Sequence, residues 1–354
     1  MKKYIAGAIA LVMLLTFAFA GAAIADEKKL SVVTTIFPVY DWAREVVGAN
    51  DNVEITLLLD SGVDLHSYQP TAEDIMKVAT CDVFAYVGGE SDEWVEDALD
   101  EAVSPDMTVV NLLYALGDDI KMEEIVEGME HEHEHDEDDH DEDEHDHDED
   151  DQDEDDHDED DHDEDDHDHE HEHEDEVDEH VWLSLRNAQK LVKALAAALG
   201  EADPANAESY ATNADAYIEK LAALDGEYAA AVAAGDFDTL LFGDRFPFRY
   251  LVDDYGLNYY AAFAGCSAET EASFETVAFL AGKVDELGLK SVMTIEGTNH
   301  KIAETIVQST QAKDAGILAL NSMQGTTAQD VAGGATYLSA MERNLEVLKE
   351  ALAK

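Results

Sequence analysis

One segment limits the fold more than any other: from His131 to Glu176 the chain has 46 residues, 33 of them Asp or Glu, 12 His and one Gln, with nothing apolar or basic. Such a stretch cannot fold alone. It has no side chains to bury against the entropy of ordering, and its like charges repel. It therefore reads as a disordered, solvated insertion within a foldable chain. The whole 354-residue protein has 84 Asp plus Glu against 20 Lys plus Arg, a net charge of −64. A field of that sign excludes a nucleic-acid binder held by phosphate contacts. Subtracting the run's 33 negative charges leaves −31, still compatible with compact folding, and the hydrophobic fraction of 45% is ordinary for a globular protein. Acidity alone needs no imidazole. Alternating His and carboxylate, as in His167-Asp168-His169-Glu170-His171, offers many weak, exchangeable sites for a borderline cation such as Zn²⁺. Composition thus favours metal scavenging over plain solubilisation.

The N-terminus has the layout of an export signal. Lys2 and Lys3 precede the apolar stretch Ile5–Ala20, and Ala23-Ile24-Ala25 forms a small-x-small cleavage site before Asp26. Residues 1–25 are therefore expected to be a Sec-type signal peptide. The segment contains no lipid-attachment cysteine, so the mature protein is expected to be soluble and periplasmic.

Short β-branched runs alternate with helical patterns, the signature of α/β layering. Strands are predicted at Leu30–Ile36, Val53–Leu59, Asp82–Val87 and Met107–Asn111, then at Thr239–Phe242, Ser291–Ile295 and Ile317–Leu320. Helices are predicted at Tyr40–Val47, Ala72–Ala79 and Glu93–Ala102, then at Arg245–Tyr255, Glu271–Leu287, Lys301–Thr310 and Ala328–Leu352. Crossovers of this length imply parallel strands. The stretch Pro204–Ala234 has helical spacing throughout, with Tyr210, Ala214, Tyr217, Leu221 and Leu224 on one face. Its place between two similar halves predicts a helix that spans them. The expected fold is α/β, with two lobes, each a central mainly parallel sheet flanked by helices, joined by a long spanning helix. Residues 26–203 form the N-terminal metal-binding lobe with the insertion at 131–176; residues 204–234 form the linking helix, and 235–354 the C-terminal lobe.

Outside the acidic run only three histidines remain: His66, His180 and His300. His66 lies just past a predicted strand, in Asp64-Leu65-His66-Ser67-Tyr68-Gln69-Pro70. His300 follows another, in Glu296-Gly297-Thr298-Asn299-His300, and His180 opens the segment after the run, in Asp178-Glu179-His180-Val181-Trp182. Ligand sites in open α/β sheets sit beyond the carboxyl ends of strands. Three neutral imidazoles suit Zn²⁺, with Glu296 as the nearest fourth ligand and Asp244 as the alternative. Asp64 and Asp178 stand where each could accept the second N–H of an imidazole. Of the two cysteines, Cys81 precedes an apolar run and reads as a packing residue. Cys266, in a polar loop, is an alternative soft metal ligand, and a bridge between the two cysteines is left open.

At these residues the chain resembles the substrate-binding proteins of zinc and manganese ABC transporters, the zinc-uptake branch in particular. Val33-Thr34-Thr35-Ile36-Phe37-Pro38 resembles the opening strand of that family. The His66 loop is similar to its first ligand loop, D-P-H-x-Y-E-P, and Asp178-Glu179-His180-Val181-Trp182-Leu183 to its second, D-P-H-V-W-L. A His-rich acidic insertion before the second loop is a trait of the zinc branch. The family's third ligand, a His or Glu, falls in a segment resembling Phe242-Gly243-Asp244-Arg245-Phe246, where this chain has Gly243. His300 is then expected to make up for the missing imidazole at the fourth position.

The resemblance implies capture of Zn²⁺ rather than Mn²⁺ between the lobes by a monomer, followed by docking on a membrane ABC permease. It implies binding, not catalysis. Two other readings compete: a periplasmic zinc buffer or chaperone, and a zinc-dependent hydrolase. The last lacks an H-E-x-x-H helix or a general base in a recognisable motif.

Overall fold

The computed structural model describes residues 28–129, 176–267, 271–297 and 299–354. The predicted signal peptide and all of the acidic run except Glu176 lie outside these residues. The N-terminal half runs β1 (Leu30–Thr34), α1 (Phe37–Val47), β2 (Val53–Leu57), α2 (Ala72–Thr80), β3 (Val83–Tyr86), α3 (Trp94–Asp100), β4 (Thr108–Asn111) and α4 (Leu112–Leu116). Two long helices follow, α5 (Leu185–Ala202) and α6 (Ala207–Ala234). The C-terminal half runs β5 (Thr239–Phe246), α7 (Arg249–Tyr255), β6 (Asn258–Ala264), α8 (Phe274–Leu287), β7 (Ser291–Ile295), α9 (Lys301–Ser309), β8 (Gly316–Leu320), α10 (Ala328–Ala332) and α11 (Tyr337–Ala351).

Each half builds a four-stranded, all-parallel sheet, ordered β2-β1-β3-β4 in the first and β6-β5-β7-β8 in the second. The two orders match. In each sheet the first strand has its successor on one side and the later strands on the other, a switch that opens a crevice at the carboxyl ends. Parallel sheets need both faces covered, and Val32, Val33, Val83 and Phe84 are accordingly almost fully buried.

The two halves share one hydrophobic core. Phe84 and Trp182 belong to the same buried cluster as Phe242, Phe248 and Leu345, while a smaller cluster around Leu241, Val292 and Ile306 fills the other face of the second sheet. Helix α6 stitches the halves together over about 40 Å, at 1.5 Å rise per residue. Near its start Asn213 donates to the Val46 carbonyl at 2.9 Å, and near its end the Tyr228 hydroxyl donates to the Met341 carbonyl at 2.6 Å. Each large apolar side chain buried in this seam contributes about 1.5–3 kcal/mol. Among the described helices, none is long and apolar enough to cross a membrane.

Three predicted boundaries shift for local reasons. Strand β5 runs on to Phe246 past an irregularity between Phe242 and Arg245, and α7 starts only after Pro247, a residue that favours extended backbone before it. The single helix expected over Ala328–Leu352 is two, broken at Gly333-Gly334, where Gly334 takes φ 94°. Strand β6 and helices α4 and α5 had no predicted counterpart. Both cysteines are free, so no bridge joins them; Cys81 is buried, with its thiol donating to the Val78 carbonyl at 3.2 Å.

Candidate metal centre

The first half of the site is a pair of imidazoles. His66 lies in a short 3₁₀ turn, Leu65–Ser67, after β2; the Asp64 side chain caps that turn by accepting the His66 N–H at 3.1 Å. His180 is completely buried and precedes the 3₁₀ turn Val181–Leu183. Its segment is fixed by residues flanking the acidic insertion, which pair through the bridge Met122–Val177 and the bond from Asp178 N–H to the Lys121 carbonyl at 2.9 Å. Tyr250 adds a brace from the other half, its hydroxyl donating to the Asp178 carbonyl at 2.8 Å.

Both rings are oriented by their Nδ1 atoms. His180 Nδ1 stands 3.0 Å from Asp178 Oδ1; a carboxylate only accepts, so this nitrogen carries the proton and Nε2 keeps its lone pair. His66 Nδ1 stands 2.8 Å from Ser91 Oγ and 3.5 Å from Glu179 Oε2, with Glu179 Oε1 accepting the Ser91 N–H at 2.9 Å. The two Nε2 atoms then face one another at 3.1 Å. Nitrogens bound to tetrahedral Zn²⁺ at 2.0–2.1 Å lie about 3.3 Å apart, so the pair is spaced for one ion. Burial, with His180 alongside, pushes the His66 imidazole down to about 3, which keeps it in the neutral form a metal needs.

The second half comes from across the crevice. Cys266 lies just beyond the carboxyl end of β6, and its thiol joins the imidazoles: donor atoms of His66, His180 and Cys266 all lie within 4.8 Å of one another. Among the described residues this is the one group of three or more His, Cys, Asp or Glu side chains gathered closely enough for a metal. Glu123 holds the loop by accepting the Cys266 N–H at 2.8 Å. A Cβ at Gly265 would sit 2.9 Å from the Phe246 carbonyl oxygen and 3.1 Å from His180 Cε1, so a residue without one lets the loop lie against the imidazole.

The sequence profile of the family described as zinc-uptake complex component A, periplasmic (ZnuA), matches residues 32–351. The chain belongs to the ZnuA family. It is 31% identical to the high-affinity zinc uptake system protein ZnuA of Bacillus subtilis over 332 residues, covering 94% of this chain and 90% of that one. It is 30% identical to the zinc-binding protein AdcA of Streptococcus pyogenes over 335 residues, covering 91% of this chain; the match spans only about half of that relative, 56% of its length. Its fold matches the crystal structure of the Zn(II)-bound ZnuA-like domain of Streptococcus pneumoniae AdcA with a TM-score of 0.65 at 27% identity, covering 92% of this chain and all of that one. The ZnuA family is one of metal-binding transport components.

In this ZnuA-family chain the other predicted ligands are placed differently. Glu296 turns away to the loop after β8: its carboxylate accepts the Ser322 N–H at 2.6 Å and the Ser322 hydroxyl at 2.8 Å. Asp244 accepts the N–H groups of Arg245 at 2.9 Å and Ile295 at 3.2 Å, and burial raises its carboxyl above the usual range. His300 leads into α9, close enough to Asp244 to favour its charge, and is outside the Cys266 group. Its buried Nδ1 has no hydrogen-bond partner among the described residues. No side chain fits at Gly243, where a Cβ would lie 2.6 Å from the Ala303 Cα of α9.

Arg245 has a role that the sequence reading did not assign. It donates to Asp64 Oδ2 at 2.7 Å and to the Ser267 carbonyl at 3.4 Å, tying the His66 loop to the Cys266 loop. Burial works against the charge on Asp64, but the guanidinium outweighs it and holds that carboxyl below its ordinary value. Ser91, Glu179 and Glu123 were likewise unassigned, since each acts through a ligand loop distant in sequence.

Proposed function

We propose that this protein captures Zn²⁺ in the crevice between its lobes outside the cytoplasm and delivers it to the membrane permease of an ABC importer. It is exported by the leader over residues 1–25 and works as a monomer. One observation carries the reading: two imidazoles from distant segments present Nε2 atoms 3.1 Å apart, with Nδ1 of His180 held by Asp178 and that of His66 by Ser91. Arrangement of imidazoles by outer partners is what a metal site requires. The zinc named for the AdcA and ZnuA relatives supports the cargo. His66 and His180 are the proposed anchoring ligands, and the alternating His and carboxylate of the acidic run supply weaker, exchangeable sites.

The test is uptake into vesicles that hold the cognate permease and its ATPase, with the loaded protein added outside. ATP-dependent zinc accumulation that disappears in the His66→Ala/His180→Ala double variant is the expected result. Tight zinc binding without uptake would instead mark a zinc buffer.

A further inference from the structure

We infer that the Cys266 thiolate is the third protein donor, so that the site is His₂Cys and its cargo is the class of borderline-to-soft d¹⁰ cations, Zn²⁺ and Cd²⁺, to the exclusion of Mn²⁺. This rests on the zinc-capture reading above and adds the element that sets its selectivity. The first support is the gathering of a ring nitrogen of His66, a ring nitrogen of His180 and Cys266 Sγ within 4.8 Å of one another. Around tetrahedral Zn²⁺ a nitrogen at 2.0–2.1 Å and a thiolate at about 2.3 Å lie roughly 3.6 Å apart, so no donor pair has more than about 1.2 Å to close.

The second support is that each carboxylate around the pair has at least one oxygen engaged, while Glu179 Oε2, without a hydrogen-bond partner among the described residues, stands 3.5 Å from Nδ1 of His66, the ring nitrogen turned away from the pair. Asp178 holds His180, Glu179 holds Ser91, Asp64 holds Arg245 and Glu123 holds the Cys266 backbone. Manganese prefers carboxylate, carbonyl and water oxygens, whereas thiolate and imidazole select zinc. The third support is the fit of the loop itself. Gly265 allows the backbone next to Cys266 to approach His180 more closely than a side chain would permit, and Arg245 ties the same loop to the His66 turn. Three protein donors leave the fourth position to solvent, as an ion that must be handed on requires.

Cobalt is the probe. The full-length protein, Cys81→Ala and Cys266→Ser are each titrated with Co²⁺, and zinc affinity is measured by chelator competition. The acidic run holds no cysteine, so cobalt bound there gives no sulfur signal. The expected result is a near-ultraviolet thiolate-to-cobalt charge-transfer band that saturates at one equivalent in the parent and in Cys81→Ala and is missing in Cys266→Ser. Zinc affinity should fall more than about a hundredfold in Cys266→Ser, beyond the loss of an outer partner. Cys266→Asp should narrow the zinc-to-manganese affinity ratio at least about tenfold, as an oxygen donor replaces sulfur. Tight zinc binding by the parent with no charge-transfer band overturns the thiolate assignment and leaves zinc capture standing. Absence of any tight zinc site in the parent removes the capture reading itself.

Discussion

On the N-terminal side of the crevice each imidazole is held at two points, by a capped turn or bridge along its backbone and by a polar partner at Nδ1. On the C-terminal side the thiol is placed through its loop, by the Glu123 bond to the Cys266 N–H and the Arg245 bond to Ser267. The first side is a finished bidentate clamp, and the second is a donor on a tether. This division separates two tasks. Under the proposed assignment, the rigid pair would set where the ion lands and the tethered third donor how readily it leaves.

The largest effect should come from the rigid side. His180→Ala should weaken tight zinc binding more than about a hundredfold, because it removes a ligand outright, whereas Asp178→Asn should cost about 10- to 100-fold by loosening the same ring. Chelator competition measures both, and equal losses in the two variants would erase the distinction between ligand and support. An intermediate effect is expected where the sides are tied. Arg245→Met and Asp64→Leu should each cost about tenfold in affinity, and the double variant should cost less than the product of the two, since both remove the shared ion pair of 2.7 Å while Arg245→Met alone also gives up the Ser267 contact. Full additivity would show that the ion pair does not link the ligand loops.

The smallest effect on binding should come from the seam behind the site. Asp41 accepts the Tyr337 N–H at 2.8 Å, and burial raises its carboxyl to about 6 from 3.8. The folded protein therefore holds that proton more tightly than the unfolded chain does. The resulting stabilisation is complete below about pH 4 and is lost as the pH rises through about 6. Asp41→Asn keeps the acceptor and removes the titration. Relative to the parent, it should gain on the order of 2–3 kcal/mol in denaturant stability between pH 4 and pH 7, with zinc affinity unchanged. A parallel pH dependence in the two proteins would contradict this.

The rigid side was also the side the sequence disclosed best. His66 and His180 stand in compact motifs whose neighbours, Asp64 and Asp178, are the residues that cap and orient them. The sheets were legible wherever β-branched residues cluster, and the long helix α6 was legible from its unbroken period. Strand β6, Asn258–Ala264, was not, because its small and aromatic residues lack that signature and it lies at the sheet edge. Missing it hid the fact that Cys266 follows a strand's carboxyl end, the same placement that drew attention to His300 and Glu296. For those two, proximity to a strand end said nothing about direction: Glu296 turns to Ser322 and His300 stays beside Asp244. Helix α5 is readable in retrospect from Leu185, Ala188, Leu191, Val192 and Leu195, all buried at helical spacing.

The contact between Gly243 and Ala303 closes position 243 to any ligand side chain. With α9 packed against a backbone that carries no side chain, a histidine introduced at 243 would have to push the helix away before its ring could enter the crevice.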